Sequence, residues 1–412
     1  MPNTPRIVIA GGGLAGLSLA LALKSSLGAG LDVVMCDPAL RRDPAGDRRA
    51  YAIAAAARRM FQTLGIWDAV SGQAQPILSM VVTDSRVADP VRPTFLTFEG
   101  EVEPGEPFAH MVEGGHLTGA ILAACRDAGV VLKAAGVEGF EGDAAAVRVR
   151  IAGEEPLEAS LLVAADGGRS RLREAAGIAW IHWPYKQSGI VATIAHERDH
   201  EGQAVEHFLP SGPFAILPLI PGGSLGHRSS IVWTERSDRV PALLASEGAS
   251  FMEELEQRFG YRLGRIAVET KPQAFPLSFG VARRFVGERL ALLGDAAHVI
   301  HPIAGQGLNL GLHDAAALAE VVADALRLGL DPGHGTTLDE YERARRLDIT
   351  AMGAVTDGLN RLFSNDVLPV RLARDLGLGL VDRMPALKRF FIREAAGLSG
   401  RAAPRLLRGE AL

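Results

Sequence analysis

The stretch Leu292–Ala315, LLGDAAHVIHPIAGQGLNLGLHDA, gathers Asp295, Asp314, His298, His301, His313, Pro302 and four glycines, Gly294, Gly305, Gly307 and Gly311. It holds no Ser, Cys or Lys, so it lacks the usual side-chain nucleophiles. His298 and His301 flank a Val-Ile pair, with no carboxylate or thiol at ligand spacing on the same element. No metal site is therefore expected. Two readings of this histidine pair stay open. One makes them structural hydrogen-bonding groups. The other makes them weak catalytic candidates that titrate near neutrality and tune or relay protons beside a bound group. His313, further along, reads as a surface or interface residue. Glycines 305 and 307 precede an apolar helical run, and free amides at a helix start can cradle a flat polar heterocycle.

Such a loop needs a strand before it and a helix after it, and the chain supplies this arrangement three times. RIVIAGGGLAGLSLALAL opens with a β-branched run at 7–9, continues as Gly11-x-Gly13-x-x-Gly16, and then turns helical. Gly11 permits the tight turn, Gly13 lets a pyrophosphate approach the backbone, and Gly16 lets helix and strand pack closely. LDVVMCD ends a second strand at Asp37, where an acid can accept hydrogen bonds from ribose hydroxyls. LLVAADGGRSRLREAAGI closes a third apolar strand with Asp166-Gly167, and RLALLGDAAH closes a fourth with Gly294-Asp295. These features specify a dinucleotide cofactor. The glycine fingerprint alone does not separate NAD from FAD.

With 412 residues the chain is long enough for two domains. Its 48% hydrophobic and 22% charged residues are ordinary for a globular protein. A net charge of −5 argues against a nucleic-acid surface. No apolar run reaches the roughly 18 residues of a membrane span. No targeting segment is expected from the polar lead MPNTP, so the expected location is cytoplasmic. Cys36 and Cys125 read as free, buried thiols in a reducing compartment.

Three strand-end motifs in this order resemble the flavin-dependent aromatic hydroxylases of the p-hydroxybenzoate hydroxylase type. The likeness narrows to their ubiquinone-biosynthesis branch. Its carriers are GDAAHVIHPIAGQGLNLGLHDA, DRRAYAIAAAARRMFQTLGIW, YKQSGIVATIAHE, GPFAILPL, SIVW and YERARRLDITAMGAVTDGLNRLFSND. The resemblance implies FAD as cofactor, with Gly11, Gly13 and Gly16 at its diphosphate and Asp37 at the adenosine ribose. It implies Asp166 and Gly167 near the pyrophosphate and the nicotinamide's path, and Asp295 at the ribityl chain. Arg49, Gly305, Gln306, Gly307 and Asn309 are implied beside the isoalloxazine. O2 is the implied co-substrate, and NAD(P)H or a protein electron donor the transient reductant. The implied activity is ring hydroxylation of a polyprenylated phenol or quinol precursor through a flavin C4a-hydroperoxide. The alternative is a hydroxylase or epoxidase of another apolar aromatic or isoprenoid substrate. The sequence departs from the branch at Gly114 in MVEGGHL, where Asn is usual, and at Asp37, where Glu is common.

The implied architecture is α/β. A doubly wound, Rossmann-like FAD domain (1–75, 105–180 and 280–335) carries an inserted, mostly antiparallel sheet domain (76–104 and 181–279) and a C-terminal helical region (336–412). Where benzoate hydroxylases carry Ser and Arg to grip a carboxylate, this chain has Pro218, Leu219 and Ile220. A buried carboxylate without a partner is costly, so an uncharged, lipophilic ring is expected. Its pocket candidates are Phe214, Leu217, Leu219, Trp233 and Pro302. Arg58-Arg59 reads as a solvated face. The stretch 369–397 alternates apolar residues with Arg371, Arg374, Arg383, Lys388, Arg389 and Arg393, as two helices broken near Pro385. It reads as core-packed helices with a solvated basic face, or as a contact for a membrane surface or a quinone-synthesis complex. The oligomeric state is open, a homo-oligomer included.

Overall fold

The computed structural model describes residues 4–87, 94–99, 101–245, 249–364, 392–393, 396–398 and 403–412. Its central sheet has six strands, in the order Val131–Lys133, Asp32–Cys36, Arg6–Ala10, Leu161–Ala164, Leu290–Leu292 and Val286–Gly287. The first five run parallel and the last antiparallel. Arg6–Ala10, Asp32–Cys36, Leu161–Ala164 and Leu290–Leu292 are almost wholly apolar, as strands buried on both faces must be. Helix Leu14–Leu27 packs against Gly114–Asp127 and Gln306–Arg327. A small antiparallel sheet, Val137–Gly142, Val147–Ile151 and Leu157–Ala159, buries Val147, Val149 and Ile151 in the same core.

This topology puts Leu161–Ala164 beside Arg6–Ala10, and Leu290–Leu292 beside Leu161–Ala164. The turns after these three parallel strands carry Gly11, Asp166 and Asp295. They meet at the carboxyl edge of the sheet, where α/β folds bind their ligands.

A second sheet of nine strands comprises Ser79–Asp84, Thr94–Glu99, Trp180–His196, Gln203–Leu209, Gly212–Pro218, His227–Arg236, Ile266–Val268, Gln273–Ala282 and His298–Val299. It is antiparallel except where Gln203–Leu209 runs alongside Ser79–Asp84. Helices Val240–Ala245 and Ala249–Phe259 cover one face, where Leu243, Phe251, Leu255 and Phe259 pack on Phe214, Ile216, Ile231 and Trp233. A three-stranded sheet pairs Ala50–Ala54, Ala109–Glu113 and Ala74–Ile77, its strands interleaved in sequence with those of the larger sheets.

Helix Gly335–Phe363 ties the halves together. Tyr341 donates its hydroxyl to the Leu292 carbonyl at 2.8 Å, and Phe363 stacks on Phe208 with ring centroids 4.1 Å apart. The C-terminal turn Arg405–Arg408 returns to Gln306–Arg327 through Arg405, which pairs with Glu320 and Asp324. Of the six basic residues expected on C-terminal helices, Arg393 is described and exposed. The other five, and the expected break near Pro385, fall outside the described residues.

Cys36 and Cys125 are free and buried, and burial raises their thiols to about 11 and about 12. Arg58 and Arg59 do not form a solvated face. Both grip the buried Glu106 carboxylate, at 2.6 and 2.5 Å, because an unpaired acid there would be costly.

Candidate functional site

Gly11 has φ +119°, and a Cβ built on it would lie 2.1 Å from the Ala165 carbonyl oxygen. Only glycine fits between the first and second strand-end turns. A Cβ on Gly16 would lie 2.2 Å from the Gly11 oxygen, so the helix sits directly on the turn. Gly13 has nothing within 4 Å of that position, and helix Leu14–Leu27 has no side-chain cap at its start. Its first amides therefore face open space with the positive end of the helix dipole. Asp37 accepts from the amides of Gly12 at 2.6 Å and Ala39 at 2.7 Å, fixing the glycine turn while keeping lone pairs for a ligand.

The second turn carries Asp166, which accepts from the Leu172 amide at 3.4 Å, and Gly167 at φ +83°. Buried Arg173 clamps it to the third turn, donating to the carbonyls of Gly168 at 3.0 Å and Ala296 at 2.9 Å. In the third turn Asp295 keeps solvent access inside a crowded recess. Its carboxyl is pushed up by burial and by Asp314, with His298 opposing. The buried Asp314 carboxylate accepts from the Gly294 amide at 3.0 Å, His298 Nε2 at 2.6 Å and Arg345 Nε at 2.7 Å. Burial alone would raise this acid, but His298 and Arg345 hold it down to about 2.

The two histidines thus part company. His298 is tied into the Asp314 network. His301 lines the adjacent cavity, with both ring nitrogens buried and unpartnered, and burial lowers it to about 4. His313 is half-buried rather than on the surface. Its Nε2 lies 2.9 Å from where a Gly397 Cβ would stand, and burial lowers it to about 3. The helix after residue 305 turns it beneath the C-terminal segment, which sequence spacing does not show.

At the start of helix Gln306–Arg327, Gly305 is left-handed with φ +64°. Asn309 staples this start to the strand Ala50–Ala54. Its Oδ1 accepts from the Ala54 amide at 3.0 Å and its Nδ2 donates to the Ala52 carbonyl at 2.9 Å. The Asn309 amide is therefore largely spent on backbone. Arg49 forms a two-pronged pair with Asp47, at 2.8 and 2.9 Å, above the Tyr51 ring. A Cβ-bearing residue at 114 would meet Asp47 Oδ2 at 2.6 Å from Cβ and the Tyr51 ring at 2.8 Å. Asp47 and Tyr51 thus fill the space beside Gly114, the position at which the resemblance leads one to expect Asn.

A cavity of about 260 Å³ opens between this helix start and the nine-stranded sheet. Gly305, Gln306, Gly307 and Asn309 line one side, with Pro302 and His301. The sheet contributes every second residue: Ala204 and Glu206, Pro213, Ala215 and Leu217, Val232 and Thr234. Of the pocket candidates, Leu217 and Pro302 line it. Phe214 and Trp233 do not. One residue out of phase, they point into the helix-covered core on the opposite face. Leu219 lies past the strand end and packs with Ile77, Phe108 and Ala109. No Lys or Arg lines the cavity among the described residues. The nearby Arg228 is committed to Glu113 at 2.9 Å and to the Ile220 carbonyl at 3.1 Å. Sequence reasoning missed Glu206, Tyr51, Asp314 and Arg173. Glu206 leaves a trace in the sequence as an acid within the run AVEHFL. The other three act through contacts between distant segments.

The family described as FAD binding domain matches residues 4–355. The ubiquinone hydroxylase UbiL of Rhodospirillum rubrum is 47% identical over 98% of this chain and 92% of its own length. The 3-demethoxyubiquinol 3-hydroxylase of Escherichia coli is 32% identical over 97% of this chain and 100% of its own. The solved structure of p-nitrophenol 4-monooxygenase PnpA from Pseudomonas putida aligns with a TM-score of 0.77 at 21% identity, over 97% of this chain and 98% of that one. At that identity the likeness speaks for the fold.

Proposed function

The chain belongs to the FAD binding domain family of aromatic hydroxylases, and from that premise we propose that it hydroxylates the ring of a polyprenylated phenol or quinol precursor of ubiquinone. The observation that carries this reading is the cavity against the glycine-led helix start, mostly apolar and, among the described residues, without a Lys or Arg to meet a substrate carboxylate. Two relatives of matching length are named for ubiquinone hydroxylation.

The residues fit FAD on three counts. The Gly11–Gly13 turn leaves uncapped helix amides facing open space. Asp37 stands at the end of the neighbouring strand. Asp295 presents an accessible carboxyl at the third turn. Gly11, Gly13 and Gly16 would hold the diphosphate, Asp37 the adenosine ribose and Asp295 the ribityl chain. Asp166 and Gly167 would stand near the pyrophosphate, and Arg49, Gly305, Gln306, Gly307 and Asn309 would flank the flavin ring.

Bound FAD supplies the oxygen chemistry that no side chain here provides: an electron pair from NAD(P)H or a protein donor lets one atom of O2 enter the ring while the other leaves as water. The chain itself does four things. The helix amides bind the anionic part of the cofactor. The alternate residues of the sheet make a dry wall that excludes water. Leu217, Val232 and Pro302 hold the ring by contact, limiting its orientations. Neutral His301 keeps an unpartnered nitrogen at the cavity wall that can accept a hydrogen bond from a phenol hydroxyl.

A lipophilic substrate has to be taken from a bilayer or from a lipid-binding partner. We therefore also propose peripheral contact with a membrane or a quinone-synthesis complex, supported by the apolar cavity and the basic C-terminal sequence. Deleting the gene tests the main reading. An under-hydroxylated quinone precursor should accumulate, and unchanged quinone synthesis would overturn the reading. Loss of visible absorbance when NAD(P)H is added to the yellow purified protein distinguishes direct from partner-fed reduction.

A further inference from the structure

Glu206 is the one carboxyl on the cavity wall among the described residues, and it is 5% exposed. It lies on strand Gln203–Leu209, with Val82 beside it on one neighbouring strand and Ala215 on the other. No lysine or arginine faces it, and it forms no ion pair or hydrogen bond with the described protein. A structural role would demand such a partner, because an unpaired buried carboxyl costs stability. The buried Thr234 hydroxyl on the same wall is also without a partner.

We propose that Glu206 is a substrate-orienting residue, a protonated carboxyl that hydrogen-bonds to a hydroxyl or alkoxyl oxygen on the aromatic ring in the cavity. The inference rests on reading the cavity as an aromatic-substrate pocket. A neutral carboxyl offers an O–H donor and a carbonyl acceptor, so it serves a phenol or an ether, while a substrate carboxylate would find no Lys or Arg among the described cavity residues. It turns an otherwise apolar pocket into one that distinguishes how a ring is rotated. The geometry also sets the ligand class: an uncharged ring bearing at least one oxygen substituent.

Burial alone raises the Glu206 carboxyl to about 8. The other titratable cavity residues stay neutral around that pH, since burial moves His301 to about 4 and Tyr51 to about 12. Strand Gly212–Pro218 contributes no titratable group. On the other neighbouring strand Asp84 shares the face of Val82 but does not line the cavity, and it has partners of its own.

The test is calorimetric binding of 2-prenylphenol and its methyl ether to the FAD-loaded enzyme at pH 6 and pH 10. The ether cannot donate, so it depends on the protonated acid. Wild type should bind the ether about tenfold more tightly at pH 6 than at pH 10, the difference one hydrogen bond to a buried group makes. Glu206→Gln should bind it with the same affinity at both pH values. Glu206→Leu should bind it about tenfold more weakly than wild type at pH 6, yet resist denaturant better, because the uncompensated acid is gone. Ether binding that ignores both pH and the leucine substitution overturns the inference and leaves the proposed function standing. Failure of wild type to bind either probe overturns the aromatic-pocket reading and the inference with it.

Discussion

Gly11 and Gly114 mark two different ways a missing side chain matters. At Gly11 the backbone itself forbids one: φ is +119°, and the Cβ site is 2.1 Å from a carbonyl oxygen. Gly11→Ala should strain the turn by about 1–3 kcal/mol and cut the bound flavin per protein about tenfold or more, read as visible absorbance against protein concentration. Retention of full flavin content would show that the turn relaxes. At Gly114 the obstacle is two side chains, Asp47 and Tyr51, so the departure from the family is accommodated locally. Glu206 also has a stability signature. Its proton is held more tightly in the folded state, so its contribution is complete below about 4.5 and is lost as pH rises through about 8.

Helix Gly335–Phe363 and the start of Gln306–Arg327 are bound to the third turn through one acid. Asp314 joins Gly294, His298 and Arg345, all buried. Asp314→Asn should cost about 3 kcal/mol in urea unfolding, the lower end for stranding a buried partner, because Asp348 still pairs with Arg345 at 2.9 Å. The pH dependence has a definite sign. This acid is depressed from 3.8 to about 2, so its stabilisation is complete above about 3.8 and is lost as pH falls through about 2. The Asn variant should lack that acid-induced loss. An acid profile unchanged by the substitution would remove Asp314 from its role as the fastener. The strands Gly212–Pro218 and His227–Arg236 show the opposite kind of control, by phase alone. Leu217 and Val232 face the cavity, while Phe214 and Trp233 face the helices.

The whole molecule places its cavity at a seam. His298–Val299, the strand that follows the third cofactor turn, is also the edge of the nine-stranded sheet, paired to Gln273–Ala282. The third turn and the sheet that walls the cavity are therefore joined by backbone hydrogen bonds, and their spacing is fixed. No described helix is long and apolar enough to cross a membrane. If the enzyme collects its substrate at a bilayer surface, it should float with liposomes containing about 30% anionic lipid at low salt and be released as salt screens the contact. Failure to float at low salt would shift the proposal to a protein carrier.

The sequence by itself determined a dinucleotide cofactor and the fold class, and the family resemblance narrowed the cofactor to FAD. A glycine fingerprint, a strand-end acid and a helix start are local features, and the φ values and close approaches they require follow from a dozen neighbouring residues. The joint placing of Gly11, Asp166 and Asp295 at one cofactor came from the family resemblance, and the fold sets the three turns on one sheet edge. Only tertiary structure decided the pocket. Both faces of Gly212–Pro218 are apolar, one against helices and one against the cavity, so no alternation in the sequence tells Phe214 from Leu217. The same limit hid Glu206 and Asp314. An acid's role depends on which charges the fold brings near it: Asp314 meets Arg345 from another helix, and Glu206 meets none.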